Sequence, residues 1–187
     1  MNTLLIYLVC AALLLSFSFL IFRVSFRRDF HQQGRLSPLS LITGSLVFFC
    51  WGGFPYIYGI SDWPIVHTSQ IALWIGRFFL FGGLAVMFVS MTRLGILRSF
   101  GCQQNTLIQR GFYKYSRNPQ VAGVVLYGIG FAILWPSWYA LGWFLLLLPI
   151  VHMMVMSEEE HLHNAFGEAY DDYCQRVPRY IGIPKVH

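Results

Sequence analysis

Charge is scarce in this sequence. Of 187 residues only 11% are charged, and only eight are acidic. Soluble domains carry about 25% charged residues. So apolar a chain cannot coat a water-facing globule, and it is too hydrophobic for a disordered segment. Cysteine is sparse too. Cys10, Cys50, Cys102 and Cys174 stand far apart, which excludes the close pairs of a zinc site and speaks against a disulfide framework. Cys10 and Cys50 lie in apolar runs as small core residues. There is no internal repeat, no low-complexity stretch and no Gly-rich phosphate-cradling fingerprint, so no soluble dinucleotide-type fold is hidden here. The net charge is +5, with a pI near 9.2. In so apolar a chain this excess flanks membrane spans, and no nucleic-acid partner is expected.

What is abundant is apolar surface: 56% hydrophobic residues, 18% aromatic, mean hydropathy +0.56. These values predict an all-α, polytopic membrane protein forming one domain over residues 1–187. A span needs about 20 mostly apolar residues. Five runs approach that, at about 3–22, 39–60, 71–91, 121–135 and 138–156. The first reads as an anchor rather than a cleaved signal peptide, lacking a small-residue cleavage site. Only Pro136 and Ser137 separate the last two, which predicts a tight antiparallel hairpin.

Basic residues set the orientation. Arg23, Arg27, Arg28 and Arg35 follow the first run. Arg93, Arg98, Arg110, Lys114 and Arg117 follow the third, and Arg176, Arg179 and Lys185 lie in the tail. All these fall on one side, expected to be the cytoplasm of a cell inner membrane, with the amino terminus outside. Trp51, Trp63, Trp74, Trp135 and Trp138 sit near span ends, where interface anchors are found. Arg77 is the exception, one to two turns inside the third run. It either snorkels to the headgroups or serves a function.

Polar chemistry gathers in two segments. From Thr106 to Gly123, Gly111 permits a turn, and Asn118-Pro119 suits the start of the fourth span. Tyr113, Tyr115, Arg117 and Asn118 are thereby held where that span leaves the membrane, beside helix-start amides able to take an anion. From Ser157 to Tyr173 the fifth span continues into Glu158, Glu159 and Glu160. Leu162, Phe166, Ala169, Tyr170 and Tyr173 then recur at helical spacing, predicting a cytoplasmic amphipathic helix that lies back on the membrane face or on the other segment. Six of the eight acids fall between Glu158 and Asp172. The three glutamates are either a solvated helix extension or a binding site. His161 and His163 stand two residues apart and point to different faces, so no metal site is expected. His152 shares a face with Met156 and Glu159, where it needs a polar partner.

The two segments together resemble the isoprenylcysteine carboxyl methyltransferases and the related phospholipid methyltransferase-like membrane enzymes. Gly111, Tyr113, Arg117 and Pro119 match the first motif of that family. Glu158, Glu159, Leu162, Phe166, Gly167, Tyr170, Tyr173, Val177 and Pro178 match the second in register. The similarity runs over about Leu107 to Pro178. It implies an enzyme that binds S-adenosylmethionine at the cytoplasmic face over about residues 106–180. Leu107, Ile108, Gly111, Tyr113, Arg117, Asn118 and Pro119 would form one wall, and Glu158 and Glu159 the other. A carboxylate pair suits the ammonium or ribose of the cofactor, and Arg117 suits its carboxylate.

Three positions depart from the carboxyl methyltransferase pattern: Asn118 replaces the turn histidine, Val121 an aromatic, and Met154 an arginine suited to a substrate carboxylate. The expected reaction is therefore methyl transfer to a lipophilic small molecule or lipid in the membrane, not to a prenylcysteine carboxylate. Catalysis is assigned to Glu159 and to His152, the latter as general base. The alternatives are a non-catalytic membrane protein that retains the fold, or a nicotinamide-dependent reductase-like relative, which Glu158-Glu159 disfavours by repelling phosphate. Oligomeric state stays open, because the Gly82-Gly83 patch can pack within the chain or against another.

Overall fold

The computed structural model describes residues 3–54, 69–94, 107 and 109–183. Trp63, Arg98, Cys102 and Ile108 lie outside the described residues. Among those described there are helices and turns but no strand. Helix α1 (Thr3–Phe19) runs without a break through a π-helical stretch, Leu20–Phe26, into α2 (Arg27–Gln33). Gly34, at φ 64°, closes α2, and the Asp29 carboxylate accepts from the Ser37 amide at 2.9 Å to start α3 (Pro38–Phe54). Next come α4 (Gln70–Leu94), a 3-10 turn (Gly111–Lys114), α5 (Pro119–Leu134), α6 (Trp138–Phe166) and α7 (Glu168–Arg176).

Among the described residues three helical stretches are long and apolar enough to cross a membrane: Leu4–Gln33, Gln70–Thr92 and Trp138–Phe166. The expected five spans are therefore not all reached by length. Helices α3 and α5 are apolar but only 17 and 16 residues long. At about 1.5 Å per residue they fall short of a roughly 30 Å hydrocarbon core. The expected extension of the second span to Ile60 lies outside the described residues. Helix α6 has the opposite character. About 20 residues from Trp138 suffice to cross the core, so Ser157–Phe166 projects beyond it.

Glycine sets the packing of α4 on α5. A Cβ on Gly123 would lie 2.6 Å from the Met87 amide and 2.7 Å from the Gly83 carbonyl oxygen, and one on Gly130 2.7 Å from the Gly76 carbonyl oxygen. Two backbones meet there, an approach that only small residues allow in lipid, where packing rather than hydrophobicity drives association. Gly83 thus packs within the chain, whereas Gly82 faces open space. Between α5 and α6, the Ser137 hydroxyl caps the turn by accepting from the Tyr139 amide at 3.3 Å, and the expected hairpin forms.

Polar ties join α6 to the amino-terminal helices. Trp51 Nε1 donates to the Trp143 carbonyl at 3.0 Å, and Trp143 Nε1 donates back to the Trp51 carbonyl at 2.8 Å. Trp51 is therefore an interior residue rather than an interface anchor, because its N–H has a partner there. Trp74 and Trp138 are exposed, as anchors are. Lower down, the Ser157 hydroxyl donates to the Phe22 carbonyl at 2.6 Å and accepts from Arg23 at 3.1 Å. Phe22 lies in the π-helical stretch, where the i to i+4 ladder is interrupted. Arg77 is exposed and lies over the Trp74 ring at 5.1 Å, an outward placement that fits snorkelling.

The amphipathic segment is broken. Gly167, at φ 51°, ends α6 and starts α7. Leu162 and Phe166 thus belong to α6, and α7 carries Tyr170 and Tyr173. The two helices clasp one small core of Tyr170, Tyr173 and Val177, packed against Leu107, Leu162 and Phe166.

Candidate functional site

The segment before α5 is tied down by its own polar groups. Gly111 takes φ 65° and opens the 3-10 turn. Tyr113 is buried, and its hydroxyl donates to Gln120 Oε1 at 2.7 Å. Its carbonyl accepts from the Tyr173 hydroxyl at 2.7 Å, which docks α7 on this turn. The Asn118 amide donates to Ser116 Oγ at 3.0 Å, the Arg117 amide to the Pro178 carbonyl at 3.0 Å, and the Val121 amide to the Asn118 carbonyl at 3.0 Å. These amides around the helix start are already partnered, so the helix-start anion site expected from the sequence has few free donors. Asn118 and Pro119 are buried, and Asn118 Nδ2 donates to the Arg179 carbonyl at 3.1 Å.

The three consecutive glutamates are not a solvated run. Successive helical residues turn by about 100°, so they face three directions. Glu160 pairs with Arg23 at 2.8 Å and Arg27 at 3.1 Å, locking α6 to the first helix. Glu159 pairs with Arg117 at 3.2 Å and with Arg179 at 2.8 Å. Glu158 turns into a cavity of about 510 Å³ whose walls are otherwise almost wholly apolar. Burial, with Glu159 adjacent, pushes its carboxyl up to about 7.

The Glu159 cluster is buried and incompletely satisfied. Arg179 Nε donates to Glu159 Oε2 at 2.9 Å, and Nη2 of the same guanidinium lies 2.8 Å from that oxygen. The other oxygen, Oε1, accepts no hydrogen bond, although Arg117 Nη1 is within ion-pair distance. Arg117 Nε is likewise buried without a hydrogen-bond partner, and the buried Tyr170 hydroxyl has only the weakly bonding Cys174 thiol beside it. Burial raises the phenols of Tyr170 and Tyr173 well above their ordinary range, and the Cys174 thiol beside Arg117 is raised by burial as well. Unpaired buried polar groups are expensive, and each asks for a partner. Here one carboxylate oxygen, one guanidinium N–H and one phenol are gathered around a single ion-paired cluster. Two guanidiniums face one carboxylate, leaving positive charge for a ligand anion. A zwitterionic amino acid fits this set: its ammonium can donate to Glu159 Oε1, and its carboxylate can accept from Arg117 and Tyr170.

The cavity lies between the amino-terminal helices and the α4–α5 pair. Phe22, Phe26, Phe48 and Trp51 line one side; Leu84, Met87, Val121 and Val124 line the other; Val151, Met154 and Glu158 of α6 close it. Gln120, which accepts from Tyr113, also reaches it. One chamber thus meets the turn motif through Gln120 and Val121 and the glutamate motif through Glu158.

Other expected site residues fall elsewhere. Leu107 is half-buried against the Tyr170–Tyr173–Val177 core. His152 is exposed, its Nδ1 2.7 Å from the Tyr180 hydroxyl, and it is not among the cavity-lining residues. His161 stacks on Phe30 with ring centroids 4.3 Å apart, while His163 meets Asp171 at 2.8 Å. Sequence reasoning missed Arg179, which it offered only as a basic residue of the tail. It took Tyr170 for a helix-face residue. The only signal for Arg179 was its place directly after Val177-Pro178.

A family model for phospholipid methyltransferases matches residues 71–169, more than half of the chain. The match takes in α4, α5, α6, the Arg117-Asn118 turn and all three glutamates. Neither a curated protein nor a solved structure matches the chain.

Proposed function

The chain belongs to the phospholipid methyltransferase family, a family of methyltransferases, and its long apolar helices mark an integral membrane protein. From that premise we propose that it transfers a methyl group from S-adenosylmethionine to a lipophilic small molecule or lipid whose apolar part occupies the cavity. The observation that carries this reading is the abrupt change of chemistry at Glu158 and Glu159. One carboxylate closes an apolar chamber, and its neighbour sits in a buried ionic cluster where Glu159 Oε1 and Arg117 Nε lack hydrogen-bond partners.

The cluster fits the amino-acid end of the cofactor. Glu159 Oε1 would hold its ammonium, and Arg117 and Tyr170 its carboxylate. When bound, the cofactor supplies an electrophilic methyl on a sulfonium. The chain's own residues then bind and orient. Phe22, Phe48, Trp51 and Met154 take the apolar part of the acceptor and exclude water from the reacting end. Met154 offers no cation to an acceptor carboxylate, and Glu158 would repel one. The favoured acceptor atom is thus an amine, thiol or hydroxyl, and a thiol, a hydroxyl or a protonated amine must give up a proton to accept the methyl. Glu158, facing the cavity, is placed to take that proton; the structure does not bring His152 there.

In the proposed orientation the basic loops and the cofactor end face the cytoplasm. The test is calorimetric titration of the purified chain in detergent with S-adenosylhomocysteine. Saturable binding in the micromolar range is expected; no heat at millimolar ligand would falsify the assignment. A labelled-methyl assay on membrane extracts then identifies the acceptor.

A further inference from the structure

After α7 the chain returns across the site as a strap, residues 177–183. It is held at four points. The Arg117 amide donates to the Pro178 carbonyl at 3.0 Å, and Asn118 Nδ2 donates to the Arg179 carbonyl at 3.1 Å. The Arg179 guanidinium takes Glu159, and the Tyr180 hydroxyl meets His152 Nδ1 at 2.7 Å. The strap therefore touches the turn before α5 and the glutamate face of α6 at once. It lies beyond the family match, which ends at residue 169.

The asymmetry of the Arg179 contact matters most. Both of its near nitrogens address one oxygen, Glu159 Oε2, at 2.9 and 2.8 Å. Oε1 is left buried and without a hydrogen bond. A carboxylate clamped at one oxygen has its rotamer fixed, and its second oxygen, within ion-pair distance of Arg117 but without a hydrogen bond, is left as an acceptor. The Arg179 carbonyl is itself pinned by Asn118, so the clamp is positioned by the same turn that carries Arg117.

We infer that Arg179, delivered by the carboxy-terminal strap, is the positioning residue for Glu159, holding Oε2 so that Oε1 is presented to the ammonium of the bound cofactor. This rests on the cofactor assignment proposed above. A purely mechanical strap would anchor the tail without acting through Glu159, and the two roles separate in a mutant cycle.

The experiment is S-adenosylhomocysteine titration of the full chain in detergent, for wild type, Arg179→Ala, Arg179→Lys, Glu159→Gln and the Glu159→Gln/Arg179→Ala double variant. Charged hydrogen bonds of this kind control affinity by about tenfold or more. Arg179→Ala should weaken binding by at least about tenfold, and methylguanidinium in solution should restore part of the loss. In the Glu159→Gln background the same substitution should cost less than about twofold, because the charge that Arg179 clamps is gone. Tyr180→Phe, which removes only the His152 contact, should bind within about twofold of wild type. Should Arg179→Ala fail to fold, Arg179→Lys is read in the same cycle. Equal binding by wild type and Arg179→Ala overturns this inference alone, as does an equal loss with and without Glu159. Absence of binding by wild type overturns the methyltransferase reading and this inference with it.

Discussion

Glu158 is the residue on which the proposed chemistry turns. Its carboxyl is pushed up to about 7 by burial, with Glu159 adjacent. Below that pH it keeps its proton and cannot accept another. Turnover under saturating cofactor should therefore rise about tenfold per pH unit up to about pH 7 and level off above it. Glu158→Gln should lower turnover by about a hundredfold or more and abolish that rise. His152→Gln should leave the profile in place, since His152 faces Tyr180. A pH–rate series on the three proteins decides, and a profile lost with His152 instead of Glu158 would reverse the assignment. How much of this was legible differs from residue to residue. Glu158 and Glu159 were expected to share one wall, although helical geometry spreads neighbours by about 100°; the three adjacent carboxylates at a span exit were plain in the sequence. What faced each one was not. Glu160 meets residues 23 and 27, and Glu159 meets residues 117 and 179. Partners at such separations leave no local pattern.

Elements were legible where their cause is local. The Pro136-Ser137 turn and Pro119 at the start of α5 appeared where expected, because proline and a capping hydroxyl act within a few residues. The π-helical stretch was not, for its support is distant: the Phe22 carbonyl is met by Ser157 of α6. Nor was the break at Gly167, since Leu162 to Tyr173 keeps helical spacing through it and only the left-handed φ reveals the turn. Packing of α4 on α5 shows the same limit. Glycines were visible in both runs, but their mutual registration was not. That registration makes a sharp prediction. Gly123→Leu puts a side chain into the Gly83 and Met87 backbone, which cannot swing aside. Overpacking costs about 1–3 kcal/mol where neighbours adjust, and here the upper end or more is expected. Thermal melting in detergent should fall clearly for Gly123→Leu and hardly at all for Gly82→Ala, which meets open space. Equal melting for both would mean that α4 and α5 do not approach this closely.

At the scale of the whole molecule, hydropathy forecast five crossings, and among the described residues helix length by itself supports three. A hydropathy run does not record where a helix stops. The charge pattern forecast that the basic segments share one side. Basic residues from the first helix, the turn before α5 and the tail converge on Glu159 and Glu160 at one end of α6. The cavity belongs to this scale too, since it is made by two groups of helices that pack poorly on each other. Helix α4 packs extensively on α5 and has no comparable packing on α1 or α3. Phe22, Ser45, Phe48 and Trp51 on one side and Leu84, Met87 and Val121 on the other therefore enclose space instead of filling it. An acceptor drawn from the bilayer would enter between α3 and α4, with its apolar part displacing lipid and its reactive atom reaching Glu158. A bulky residue on the α3 side would then obstruct the acceptor but not the proposed cofactor cluster, which lies across α6 at Glu159. Ser45→Trp should raise the KM for a long-chain acceptor by about tenfold while leaving S-adenosylhomocysteine affinity within about twofold. Steady-state kinetics with acceptors of graded chain length give the sharper form of the test. The penalty should grow with chain length, because a longer chain needs more of the obstructed space. A penalty independent of length, or one that falls on cofactor affinity, would show that the apolar chamber is not the acceptor's path.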